Sequence, residues 1–339
     1  MTVRTKLTVL DTFGLNMLQN SKPVGILLVS WFTGVLMTVA ALPLSAQVVR
    51  ATPVNIFGDG NPLNGVEDSR KPVTEGDGNG ADPGGPKMSA GTITCDGKFR
   101  GTAMVVDTRE LAPDLEGVVL ASAAHVLYNL DRNRLFRRCK FYFMGRDRVS
   151  GYRSKIDLKK VRMGDFDPRQ STGSGEFGEG DWVFIYLPKP WAKFNSDQSI
   201  RLREFSFSQL GSYRQSGGEF RFVAFDSSSG VISESRDCNV VESDGHDLGG
   251  GTWKGQLLDD CDSADGASGG GIIATLNQQH YLIGIRNGSH WNEQVYSNDR
   301  FPSGPPDGSV WDRRFNTNFG RAIDAYLMNE INLLIQSYR

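Results

Sequence analysis

Asp260-Cys261-Asp262-Ser263-Ala264-Asp265-Gly266-Ala267-Ser268-Gly269-Gly270-Gly271 runs directly into Ile272-Ile273-Ala274, placing a serine between glycines at the mouth of a β-strand. Glycine lets the backbone fold tightly at such a point. A tight fold there aims the amides of Gly266 and Ser268 at one spot, where the oxyanion of a tetrahedral intermediate would sit. A glycine-rich turn without chemistry reads the same way locally, so the decision rests on what the remaining sequence supplies.

A serine hydroxyl needs a base to take its proton. The chain offers His125, His246, His280 and His290. Only His125 closes a buried-looking run, Val118-Val119-Leu120-Ala121-Ser122-Ala123-Ala124-His125-Val126, whose small side chains leave room beside an imidazole. An imidazole in that role needs an acceptor to hold its tautomer and stabilise its charged form. Asp181 opens Gly180-Asp181-Trp182-Val183-Phe184-Ile185-Tyr186-Leu187, an acid at the head of an apolar strand. Alone, His125 reads as a structural histidine and Asp181 as a turn residue. Together with Ser268, each specifies the others by residue type, local structure and chain order.

After Ala90 the sequence is a succession of short apolar runs, among them GTAMVVD (101–107), KFYFMG (140–145), GEFRFVAF (218–225), GVISESRDCNVV (230–241) and HYLIGIRNG (280–288), bounded by Gly, Asp or Asn. Their length and their Val, Ile, Phe and Tyr content predict strands. Only residues 321–335 (RAIDAYLMNEINLLI) repeat apolar side chains every three or four positions, as an amphipathic helix does. Many short strands and one terminal helix predict an all-β sandwich or barrel pair.

Upstream, residues 24–44 (VGILLVSWFTGVLMTVAALPL) carry no charge, follow Lys22 and end in Leu44-Ser45-Ala46, so residues 1–46 read as an export signal. The apolar run is also long enough to span a bilayer if left uncleaved, and Met17 is an alternative start. Residues 47–89 are crowded with Gly, Pro, Asp and Asn and too poor in apolar residues to bury themselves, as in a pro-segment or linker. The run GDGNGADPGG (76–85) offers Asp77, Asn79 and Asp82 as hard ligands but no bidentate acid at the twelfth loop position, so it is not read as a calcium loop. With 37 basic and 39 acidic side chains, a nucleic-acid partner is not expected, because phosphate polymers demand a basic excess. Four cysteines, none in a C-x-x-C pair, point to two disulfides in an oxidising compartment, secreted or periplasmic, rather than to zinc. No cofactor or metal is implied.

The segments ASAAHV, GDWVFIYL and DGASGGG resemble the triad motifs of the chymotrypsin-like serine proteases, and DCDSADGASGG is most similar to the bacterial glutamyl endopeptidase branch. The resemblance covers roughly residues 90–335. It implies two packed six-stranded antiparallel barrels, about 90–200 and 201–320, followed by the helix at about 321–335 within one 90–339 domain. It also implies catalytic roles for His125 and Asp181 from the first barrel and Ser268 from the second, with an oxyanion hole at Gly266 and Ser268. The sequence departs from the family at Gly271, where a proline is common, and at Ala267, where the trypsin branch has an aspartate that pairs with a freed amino terminus. Removal of the 47–89 arm therefore cannot act through that ion pair.

On this resemblance Ser263 and Arg286 fall on opposite walls of the primary specificity pocket. Arg286 stands where glutamyl endopeptidases have a carboxylate-binding histidine, so an acidic residue before the scissile bond is expected; the alternative is that Arg286 points to solvent or pairs with a structural acid such as Asp262. The disulfides expected are Cys95–Cys139 and Cys238–Cys261, each joining neighbours in strand order. Protein or peptide substrates, a monomer and no membrane contact beyond the leader complete the reading. A catalytically silent binding module on the same fold is the alternative.

Overall fold

The computed structural model describes residues 57–58, 70–72, 89–129, 132–143, 153–166, 179–188, 198–206, 208–227, 229–236, 238–243, 254–291, 309–312 and 316–339. The leader 1–46 and most of the 47–89 arm lie outside them. Among the described residues, no helix is long and apolar enough to cross a membrane.

The strands fall into two antiparallel sets. The first comprises β1 (Ala90–Cys95), β2 (Lys98–Asp107), β3 (Gly117–Ser122), β4 (Cys139–Phe143), β5 (Arg153–Ile156), β6 (Val161–Met163) and β7 (Val183–Pro188). A short strand, β8 (Ile200–Leu202), follows. The second set comprises β9 (Glu219–Asp226), β10 (Val231–Ser235), β11 (Val240–Glu242), β12 (Gln256–Asp259), β13 (Gly271–Leu276), β14 (Gln279–Trp291) and β15 (Asn316–Ala322). β8 pairs in parallel with β2 on one side and β14 on the other. With the two-residue strand Lys71–Pro72, which pairs with β10, the two sets and β8 join in one continuous 16-stranded network.

The molecule is thus all-β with a C-terminal helix, as the succession of short apolar runs predicts. Within the first set β3 is central, hydrogen-bonded to β2 and β7, and its residues Val119, Leu120 and Ala121 are fully buried. Both faces of β3 and β7 are covered, which is why these strands are continuous apolar runs rather than alternating ones. The principal core extends from these strands to Val223, Ile273, Leu282 and Ile285 of the second set, so the two sets share apolar contacts.

Two corrections concern helices. Helix α1 (Ser208–Gln215) was not expected, and its sequence shows why: only Leu210 and Tyr213 are buried, too few to write a helical period. The terminal helix α2 spans Ala325–Gln336 and starts later than expected, because Asp324 caps it, its carboxylate accepting the Leu327 N–H at 2.9 Å. Residues 321–322 belong to β15 instead. The buried face of α2, including Leu327, Ile331, Leu334 and Ile335, packs on the first set although the helix follows the second in sequence. Disulfides join Cys95 to Cys139, directly opposed on β1 and β4 with Cα atoms 4.0 Å apart, and Cys238 to Cys261.

Candidate active site

β3 ends at Ser122, and the chain turns at once into the 3₁₀ turn Ala124–Leu127, which carries His125. Asp181 sits just ahead of β7, whose Val183 lies opposite Ser122, so strand pairing alone brings the two turns side by side. The Asp181 carboxylate, fully buried, grips His125 twice. Oδ1 accepts the His125 backbone N–H at 2.8 Å, and Oδ2 lies 2.6 Å from ring Nδ1. With Nδ1–H donating to Asp181, the lone pair of the ring falls on Nε2, the tautomer a general base requires. The imidazole keeps 19% of its side-chain surface exposed, so it stands at an opening.

Ser268 belongs to the loop between β12 and β13 and is delivered against the same place. Its carbonyl accepts the Thr102 N–H of β2 at 2.8 Å. Gly269 follows with φ +80°, and a Cβ there would lie 2.2 Å from Ser122 Oγ and 3.1 Å from the amide of Ala123. Only glycine allows that conformation and that approach, and the approach seats the serine turn on the residues immediately before His125. Gly101 is similarly wedged, its missing Cβ position lying 2.7 Å from both the Ser268 carbonyl and the Val126 side chain.

Gly266 has φ +98°, a backbone conformation that glycine adopts without strain. The N–H groups of Ala267, Gly269 and Gly270 donate to the carbonyls of Ala264, Arg286 and Ala267, whereas among the described residues those of Gly266 and Ser268 donate to no backbone carbonyl. These are the two amides that the sequence assigns to an oxyanion. Their carbonyls, by contrast, are both held by one residue: Thr102 Oγ1 donates to the Gly266 carbonyl at 2.8 Å and accepts from Phe225 N–H at 2.9 Å, while the Thr102 amide holds Ser268. Thr102 is fully buried and escaped the sequence reading. No local pattern marked it, since β2 also carries Lys98, Arg100 and Asp107.

The structure brings Ser263 and Arg286 together, with Nη1 3.5 Å from Oγ. Arg286 is paired with a structural acid, however. It is 1% exposed and stacked 4.1 Å from the Phe222 ring centroid, and its Nη2 donates to Asp259 Oδ1 at 2.6 Å. A guanidinium this deeply buried requires a counter-charge, and Asp259, not the Asp262 nearer in sequence to the nucleophile, supplies it. Burial pushes the Asp259 carboxyl up from 3.8 to about 6, with Arg286 pulling it down. Burial likewise lowers the Arg286 value. Of the other histidines, His280 shares a 2.8 Å hydrogen bond with Thr275, while His246 and the side chain of His290 lie outside the described residues.

No family model matches this sequence, and the curated proteins give no match. Among solved structures, one to which the chain is similar is a Glu endopeptidase in complex with MPD, at 16% identity and a TM-score of 0.49, covering 80% of this chain and 98% of that one.

Proposed function

We propose that the chain is an exported serine endopeptidase that hydrolyses peptide bonds through an acyl-enzyme. The observation that carries this reading is the double grip of Asp181 on His125, in a turn against which the Ser268 loop is seated. Ser268 Oγ attacks the scissile carbonyl carbon while His125 Nε2 takes its proton. The carbonyl oxygen gains negative charge and is met by the amides of Gly266 and Ser268. His125 then returns the proton to the departing amine, leaving the acyl group on Ser268. A water activated by His125 releases it. Asp181, hydrogen-bonded to Nδ1, stabilises the imidazolium. The two disulfides fit an oxidising compartment.

Ser263 and Arg286 are proposed to face the residue before the scissile bond. A carboxylate entering beside the Arg286–Asp259 pair would leave one buried negative charge uncompensated. The proposed preference is therefore for uncharged side chains, in place of the acidic one the sequence suggested. A peptide library tests this: strong enrichment of Glu or Asp before the cleaved bond would contradict it. The reaction itself is tested with Ser268→Ala, which is expected to lower peptide hydrolysis by more than about a hundredfold with the melting temperature unchanged.

A further inference from the structure

From Arg132 to Arg162 twelve basic side chains stand against two acidic ones, in a chain whose totals are 37 and 39. The register of the first sheet gathers several of them on one face. In β4 Cys139, Phe141 and Phe143 point inward and Lys140 outward; in β5 Ile156 is buried while Arg153 and Lys155 are exposed. Lys140 lies directly opposite Lys155, and Tyr142 opposite Arg153. On the β1 side the neighbours are Thr94 and Thr92, so no carboxylate of the ladder faces these cations. Like charges directly opposed across strands lower the stability of a sheet, and neutral residues at these positions would have avoided it.

The exposed side chains of Arg134, Arg137 and Arg138 extend the strip, with Arg138 meeting the exposed Asp96 at 3.4 Å. The strip begins at the candidate site. The His125 turn continues into residues 128–129, which pair with 134–135, and Phe136 N–H donates to the Leu127 carbonyl. Cations therefore run from the edge of the His125 turn along the outer face of β4 and β5.

We propose that this face docks an acidic polypeptide, a carboxylate-rich stretch of a protein substrate whose scissile bond lies at Ser268. The proposal rests on the peptidase reading above. Outward residues on one strand recur about every 7 Å, and facing residues of neighbouring strands lie about 5 Å apart. An extended chain presents alternate side chains at that same 7 Å repeat, so a run of Glu or Asp meets successive cations. Continuity with the His125 turn favours a partner already held in the cleft. The near-neutral totals of the whole chain lack the broad positive field that a phosphate polymer requires. Because the cations are exposed, their effect acts on association and is screened by salt.

The test uses two fluorogenic peptides with one cleavage sequence, one of them extended by a hexaglutamate tail. The tail is expected to raise kcat/KM about tenfold at low ionic strength, through KM, and to lose that gain near 0.5 M NaCl. The double variant Lys140→Glu, Lys155→Glu should lose the gain while turning over the untailed peptide normally. Lys140→Gln with Lys155→Gln, which removes charge and keeps size, should lose it as well. No tail effect in the parent protein, or a full effect in both double variants, overturns the proposal. Anisotropy of labelled hexaglutamate on Ser268→Ala protein reads docking without turnover, so failure of the peptidase reading leaves this arm intact. Tighter binding of a sulfated polysaccharide than of hexaglutamate would assign the face to glycans and overturn the acidic-polypeptide reading.

Discussion

The strands that place His125 and the strands that place Ser268 are stabilised in different ways. Around β3 and β7 the interior is apolar, with Val119, Leu120, Val183 and Phe184 fully buried, and the buried polar groups there are hydrogen-bonded: Ser122 to Thr102, Asp181 to His125. Around β12 and β13, which flank Ser268, an apolar cluster including Phe222, Leu257 and Ile272 is interrupted by buried polar side chains. Gln256, Asp259, Arg286, Thr317 and Asn318 are all buried. The Gln256 side-chain amide, Asp259 Oδ2 and Arg286 Nε find no partner among the described residues. Close packing of β3 and β7 sets the two turns side by side, where the Asp181 carboxylate orients the imidazole, whereas the serine loop, with positive φ at Gly266 and Gly269, takes its geometry from directed hydrogen bonds. Much of that direction comes from Thr102 of the other set.

The comparison breaks most visibly at Asp181. Asp181→Asn keeps the volume of the side chain but offers a donor where Nδ1–H must donate, so kcat should fall by about 10⁴-fold with the fold intact. Steady-state kinetics alongside circular dichroism check this, and a loss below tenfold would mean that packing alone orients His125.

A smaller effect tests the junction. Thr102→Val removes Oγ1 from both the Gly266 carbonyl and the Phe225 amide, two buried groups whose loss of a partner costs about 1 to 3 kcal/mol each. It should lower kcat about tenfold at unchanged KM, since a loosened Gly266 peptide spoils a transition-state contact rather than substrate binding. Thr102→Ser should restore kcat. An unchanged kcat in the valine variant would show that the loop holds its shape without the first set.

The smallest effect concerns the buried polar side chains. Because the Asp259 value in the fold, about 6, exceeds 3.8, the folded protein binds this proton more tightly than the unfolded chain. The stability linked to Asp259 is then fully present below about 3.8 and is lost as pH rises through about 6. Asp259→Asn removes that titration, so the melting-temperature difference, parent minus variant, should be larger at pH 4 than at pH 7 by about a few degrees. Equal differences at both pH values would contradict a buried, raised carboxyl.

The same contrast explains what could be read in advance. Strands buried on both faces announce themselves as apolar runs, and β3 and β7 also carry the two residues at their ends, so His125 and Asp181 were legible. Ser268 was legible through the glycines its backbone demands. Thr102 was not, because it acts through hydrogen bonds to residues more than a hundred positions away, which no local pattern encodes. Asp259 escaped for a related reason: β12 and β14 come together through β15, and the partner of Arg286 depends on that topology. Helix α1 was missed because its contacts, Leu210 and Tyr213, are too sparse to show a period.

The claim that Ser268 is activated by His125 is tested most directly by a fluorophosphonate, which reacts with a serine only when a base removes its proton and amides receive the phosphoryl oxygen. Mass spectrometry of the labelled, digested protein should find one adduct, on Ser268, in the parent chain. It should find none in His125→Ala under the same exposure. No adduct in the parent chain, an adduct on another residue, or equal labelling without His125 would contradict the account.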